Sequence, residues 1–413
     1  MGSLIIPFFA SCQKEEVVVE EITEEMATAM IPRVQEAFSD FSGRLLQDIC
    51  ERYPDSNVSL SPFTAHRSLS LLRHASDSLT RMEIINSQGY GNEKVEVVNR
   101  AEAYFFSRFP SYDTTVNLRP FTSLWIDWKE LNGGVIDEQF INDMGEEGMQ
   151  LFVKMYDLGT SLSSLNKWGN NYVGYQMPAL FDELPDYRPM FTNEIISFTG
   201  GWSMDYFGNQ PPSMMTFRNA DGTTRDVEAL KTTRCTHVIQ TALMTACAFR
   251  FGVGCYRFVI VMPETLRITE FIRQMAGRGK WDTLFDDVLA ADSYGGELTI
   301  PVFKASNKLN LRDSFFRMGV HSAYDPQRAD FSSMSQSAFL SLGQSYQHSV
   351  FMISQKGVDA TYTSGQPLKI GTVVERETEH TWDKAVAVDR PFLFFVLEES
   401  TKSVIYSGKI EKM

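Results

Sequence analysis

QKGVDATYTSGQPLKIGTVVERETEHTWDKAVAVDRPFLFF, Gln355 to Phe395, sets a long polar segment between two strand-like apolar runs. Val350, Phe351, Met352 and Ile353 precede it, and Phe392, Leu393, Phe394, Phe395 and Val396 close it. Near its start Val358, Ala360 and Tyr362 alternate with Asp359, Thr361 and Thr363. That period of two belongs to a chain able to lie as a half-buried strand. The segment therefore reads as a loop with the pattern of a strand.

The chain around it has 413 residues, 43% of them hydrophobic, enough for one large core or two ordinary ones, and its composition points to neither disorder nor a disulfide scaffold. The net charge of -14, from 52 acids against 38 bases, opposes binding to a phosphate backbone, so no nucleic-acid partner is expected. Apolar runs such as Leu4 to Ala10 and Phe258 to Met262 fall short of the roughly 18 residues that span a bilayer.

The N-terminal run Leu4-Ile5-Ile6-Pro7-Phe8-Phe9-Ala10-Ser11-Cys12 ends in two small residues and a cysteine, and resembles the lipobox of a bacterial lipoprotein. The resemblance implies cleavage before Cys12, lipidation of Cys12 and a place on the outer membrane or cell surface; secretion is the other localisation. No Lys or Arg precedes Leu4. Residues 1–12 are thus expected to be a signal segment and 13–33 an acidic tether, with the folded domain spanning 34–413. The remaining cysteines, Cys50, Cys235, Cys247 and Cys255, form no C-x-x-C and read as buried thiols rather than metal ligands.

From Val34 onward Val34, Phe38, Phe41, Leu45, Leu46 and Ile49 recur at helical spacing until Pro54-Asp55-Ser56-Asn57 stops them. Val58 to Leu60 predicts a short strand, and Ser61-Pro62 opens a second helix carrying Leu69, Leu71 and Leu72. Strands are expected over Ser123 to Asp127, Ile195 to Phe198, Tyr256 to Met262 and Glu297 to Phe303, with helices over Gln139 to Asp143 and Leu311 to Met318. No linker or repeat divides this mixed α+β pattern.

No chemistry of the chain's own is legible. There is no G-x-S-x-G elbow, the histidines include no H-E-x-x-H, and the glycine clusters at Gly89 and Gly252 lack a dinucleotide fingerprint. No enzyme activity, cofactor or metal is expected.

Asn57-Val58-Ser59-Leu60-Ser61-Pro62-Phe63-Thr64, Ser123-Leu124-Trp125-Ile126, Leu165-Asn166-Lys167-Trp168, Phe198-Thr199-Gly200-Gly201-Trp202, Ala329-Asp330-Phe331-Ser332 and Asp389-Arg390-Pro391-Phe392 resemble, in order, segments of the serpins. Their aromatics read equally as core residues. The resemblance implies an α+β domain with a large, mostly antiparallel central sheet, smaller sheets, surrounding helices and an exposed reactive loop. It also implies a monomeric inhibitor of serine or papain-like cysteine proteases, acting as a suicide substrate; the other reading is a non-inhibitory binding or transport protein.

On that resemblance Gly357, Val358, Asp359, Ala360, Thr361 and Tyr362 form the hinge, with Tyr362 bulkier than the small residues usual there. The cleaved bond falls within Lys369, Ile370, Gly371, Thr372 and Val373; Arg376 and Lys384 are basic alternatives farther along. The latch beneath the sheet opening falls on Ser61, Thr64, Glu194 and Gln347, or, by a one-residue shift, on Asn193 and His348.

Overall fold

The computed structural model describes residues 23–131, 133–146, 151–156, 162–163, 165–167, 181, 189–208, 211–234, 236–291, 293–294, 296–336, 339–359 and 385–413. Helix α1 (Glu24–Arg52) begins where the Thr23 side chain accepts the Met26 N–H, with Glu24 and Glu25 in its first turn. Ala27 and Met30 are already in the core. Residues 24–33, read from composition as tether, are therefore the first turns of a packed helix. Charge on its outer face hid the short inner stripe.

Helix α2 (Pro62–Ala75) starts on a Ser61 cap, with proline at the first turn where no N–H is needed, and almost all of it is buried. Its Arg73 meets Glu102 of α4 (Val95–Ser107) at 2.6 Å, while Ser70 and Tyr90 donate to the same carboxylate at 2.6 Å each. Burial works against that charge, yet Arg73, His66 and these hydrogen bonds hold the Glu102 carboxyl down at about 2. Helices α3 (Ser78–Ser87) and α5 (Phe109–Tyr112) flank it.

Three sheets follow. One orders seven strands as β1 (Val58–Leu60), β17 (Ser403–Ile410), β16 (Phe392–Glu398), β9 (Tyr256–Pro263), β8 (Met244–Phe251), β7 (Thr236–Gln240) and β10 (Ser293–Tyr294). Every residue of β9, β16 and β17 is buried, which is why the centres of β9 and β16, Phe258 to Met262 and Phe392 to Leu397, are apolar on both faces. A second sheet orders β15 (Val386–Ala387), β11 (Leu298–Pro301), β6 (Thr224–Thr232) and β5 (Ser213–Arg218).

The third sheet orders β12 (Lys304–Asn310), β13 (Leu342–Ser354), β14 (Gly357–Asp359), β4 (Met190–Gly201), β2 (Val116–Asp127) and β3 (Leu151–Tyr156). Helix α2 packs between this sheet and β17. Helices α6 (Glu138–Glu146), α7 (Ile268–Gln274), α8 (Lys280–Ala290) and α9 (Arg312–Arg317) complete the described set.

The expected strands at Ser123, Ile195 and Tyr256 lie within β2, β4 and β9, and both expected helices match α6 and α9 within a residue or a few. The single strand expected over Glu297 to Phe303 is not one element. It ends at Pro301, and a new strand in another sheet starts at Lys304. Trp202 stacks on Phe251 at 5.0 Å between ring centroids, and Trp125 stacks on Phe191 at 6.0 Å, as core aromatics do.

Candidate functional site

Strands β4 and β13 are hydrogen-bonded to each other only along their lower halves. The parallel ladder runs from Leu342 opposite Met190 to His348 opposite Ile195. Above it the two strands part, and β14 fills the upper gap, antiparallel to both neighbours: Gly357, Val358 and Asp359 face Gly201, Gly200 and Thr199 on one side and Ser354, Ile353 and Met352 on the other. The start of the long polar segment is thus already a strand of the sheet.

Glycine at 357 is what lets it turn in. Its φ of 149° lies in the region that side chains avoid, and a Cβ there would come within 2.8 Å of the Gly201 Cα and closer still to the Gly200 carbonyl. Ser354 Oγ donates to the Gly357 carbonyl at 3.0 Å, and the Trp202 N–H donates to the Lys356 carbonyl at 3.1 Å. Trp202 Nε1 reaches the Ser354 carbonyl at 3.2 Å. Val358 is completely buried. Of the expected hinge, Ala360, Thr361 and Tyr362 lie outside the described residues. So do Lys369, Ile370, Gly371, Thr372 and Val373, the alternatives Arg376 and Lys384, and Cys12.

The residues named for the latch converge at the top of the parallel ladder. Gln347 faces Glu194 in register. Its Nε2 donates towards Glu194 Oε2 at 3.0 Å, Thr64 Oγ1 at 3.0 Å and the Ser61 carbonyl at 2.9 Å. Its Oε1 accepts the Ser61 N–H at 2.8 Å, which fixes the orientation of the amide. With two hydrogens for three acceptors, the amide ties both strands of the sheet to the first turn of α2. Asn193 and His348 do not replace this pair: both Asn193 side-chain atoms and His348 Nε2 have no hydrogen-bond partner among the described residues.

Burial pushes the Glu194 carboxyl up to about 8, and the neutral side chains of Ser68, Gln347 and Thr64 offset only part of that rise. Oε1 makes no formed hydrogen bond among the described residues, which leaves one carboxyl oxygen without a donor. Burial thus favours the protonated, neutral form of Glu194. His348 is likewise kept neutral: burial, and then Lys308, push it down to about 3.

Tyr406, on β17 beneath the sheet, was not singled out from sequence. Its hydroxyl lies 3.1 Å from the Ile196 carbonyl of β4 and 3.2 Å from the Val350 carbonyl of β13, between the top of the parallel ladder and β14. The only sequence cue was a phenol following Val404 and Ile405 in a strand-like run, which needs a partner for its O–H once buried.

Nothing described here is a nucleophile with a base. Burial raises Cys50 and Cys247 to about 12, and no group of three or more His, Cys, Asp or Glu converges as a metal site among the described residues. No described helix is long and apolar enough to cross a membrane.

The profile of the family Serpin (serine protease inhibitor) matches residues 36–413. An uncharacterised serpin-like protein of Methanosarcina acetivorans is 22% identical over 363 residues, covering 86% of this chain and 81% of its own. Human thyroxine-binding globulin complexed with thyroxine shares the fold with a TM-score of 0.78 at 18% identity, over 93% of this chain and 99% of its own. The thermophilic serpin Tengpin in its native state does so at 0.74 and 17%, over 95% and 96%.

Proposed function

This chain belongs to the serpin family, and from that membership we propose that it inhibits serine or papain-like cysteine proteases as a suicide substrate. One observation carries the proposal: the Gly357–Asp359 strand is already seated between β4 and β13. Longer insertion would continue the same ladder downward, in place of the direct pairing of β4 with β13.

A protease serine or cysteine attacks a carbonyl carbon in the window Lys369 to Val373. The nucleophile's proton passes to the leaving amine, the C–N bond breaks, and the hinge side of the loop stays on the protease as an ester or thioester. Freed at that end, it extends β14 between β4 and β13 and carries the protease along before water reaches the acyl bond. Each added backbone hydrogen bond contributes about 0.5–1.5 kcal/mol net. Insertion requires β4 and β13 to separate, so the Glu194–Gln347 bond must open, which makes Ser61, Thr64, Glu194 and Gln347 the latch.

Mixing the protein with trypsin, elastase and papain and running denaturing gels tests this reading. An SDS-stable complex is expected with at least one, and cleaved chain alone throughout would rule it out.

The second reading is a binding or transport module. Tyr362, Pro367 and the length of the loop favour it, and a cleft of about 280 Å³ between α1 and α7–α8, lined by Arg44, Ile272, Met275 and Trp281, is available for a ligand. The same gel separates the two. In either case lipidation at Cys12, supported by the apolar run before it, would hold the domain at a membrane surface through residues 13–22.

A further inference from the structure

We propose that the Tyr406 hydroxyl is a staple across the seam of the six-stranded sheet and limits the rate at which a strand enters it. The inference rests on the insertion reading above. It concerns a side chain of a different sheet, outside both hinge and latch.

Along the seam, from Leu342 to His348, β13 bonds β4 directly, and at its upper end β14 bonds both. Between these stretches the Ile196 and Val350 carbonyls have the Tyr406 hydroxyl within hydrogen-bond distance, at 3.1 and 3.2 Å. Tyr406 is itself fully buried, its ring 5.7 Å from that of Phe351, so the phenol cannot swing to water. A hydroxyl has one hydrogen, which the two acceptors share. Leaving both buried carbonyls without a donor would carry the full cost of desolvation, so the hydroxyl holds the strands at this spacing.

A strand that extends β14 downward by the ladder of Asp359 reaches Ile196 and Val350 within a few residues. There its own N–H groups take over these carbonyls, and the hydroxyl must let go. Tyr406 therefore stabilises the closed seam and contributes nothing comparable once the strand is in. Losing one hydrogen bond of ordinary size from the closed state speeds opening by about tenfold.

The test uses the full chain, its Tyr406→Phe variant and a chain carrying p-aminophenylalanine at position 406, whose amine has two hydrogens for the two carbonyls. A fluorescent peptide of the sequence 357–369 is annealed to each, uptake is followed on native gels, and melting temperatures are read before and after loop cleavage. Tyr406→Phe is expected to take up peptide about tenfold faster. Its intact form should melt lower while its cleaved form melts as the wild type does, and the amine should restore slow uptake. A purely structural role would lower both melting temperatures together and leave uptake unchanged, which overturns the proposal. If the wild type takes up no peptide and gains no stability on cleavage, the insertion reading falls and the staple with it. Wild-type uptake matched by Tyr406→Phe removes the staple alone.

Discussion

Gln347 Nε2 points at Glu194 Oε2 from 3.0 Å across the two strands that an inserting loop has to separate. One partner is an amide oriented by the Ser61 backbone; the other is a carboxyl whose protonated form burial favours. Leaving a polar group at this depth without its partner costs free energy. The bond therefore favours a closed sheet, and its strength depends on a proton.

The sign of that dependence follows from the raised value. In the unfolded chain a glutamate titrates near its usual pKa of about 4.3, whereas folded Glu194 holds its proton to about 8. The folded state binds the extra proton, so stability from Glu194 is complete below the unfolded value and is lost as pH rises through about 8. His66 and His348, pushed down by burial to about 4 and about 3, act oppositely, their contribution being lost as pH falls. Urea unfolding of the intact chain from pH 6.5 to 9 should show declining stability. Glu194→Gln, which keeps an acceptor for Gln347, should flatten that decline, and peptide uptake should quicken with pH in the wild type alone. Parallel curves for the two proteins would show that Glu194 does not hold the proton.

Seating of the hinge makes a separate claim. Gly357→Ala adds a Cβ where the Gly200 carbonyl and Gly201 Cα already are, at a φ of 149°. That substitution should unseat β14 and raise hydrogen exchange across 199–201 and 352–359 while the core of β9 and β16 stays protected. Val358→Asp puts a carboxylate into a fully buried position and should block insertion after cleavage, leaving the loop a plain substrate. Unchanged exchange in Gly357→Ala would mean that the hinge is not held by the contacts described.

Much of this was legible in the chain. Period-two alternation at Val358, Ala360 and Tyr362 marked a segment with strand character, and Val358 is buried within β14. Glu194 and Gln347, placed only by resemblance, do meet, because parallel register sets equivalent positions of neighbouring strands side by side. Tyr406 was beyond reach: its partners are carbonyls of strands more than fifty residues and more than two hundred residues away, and main-chain acceptors leave no mark on a sequence. The start of α1 was missed for another reason. A helix whose first turns bury only Ala27 and Met30 shows too thin a stripe against Glu24 and Glu25 to register as periodic.

Attachment at Cys12 is testable without reference to inhibition. Cells expressing the wild-type chain and fed a clickable fatty acid should yield a labelled protein in the membrane fraction, and Cys12→Ala should yield neither label nor membrane association. Helix α1 starts at Glu24, so with a lipid on Cys12 residues 13–22 would connect it to the folded body. Equal labelling of both proteins would exclude Cys12 as the acceptor.

The cleavage window and the awkward hinge residue are tested together. Mass spectrometry of the C-terminal fragment released by trypsin, elastase or papain should place the cut between Lys369 and Val373; cuts confined to Arg376 or Lys384 would show the loop to be counted wrongly. Cleavage in the window should raise the melting temperature sharply, since a new strand adds hydrogen bonds to a protein whose whole stability is about 5–15 kcal/mol. Tyr362 continues the alternation of the buried Val358, so insertion has to place its ring on the inner face, at an overpacking cost of about 1–3 kcal/mol. That cost slows insertion more than it opposes it, and a slow strand gives the acyl-enzyme time to hydrolyse. Tyr362→Ala should therefore raise the fraction of protease held as covalent complex relative to cleaved chain, with the cleaved bond unchanged. If the fraction stays the same while cleavage still raises the melting temperature, the ring is accommodated and the speed of insertion is set elsewhere along the seam.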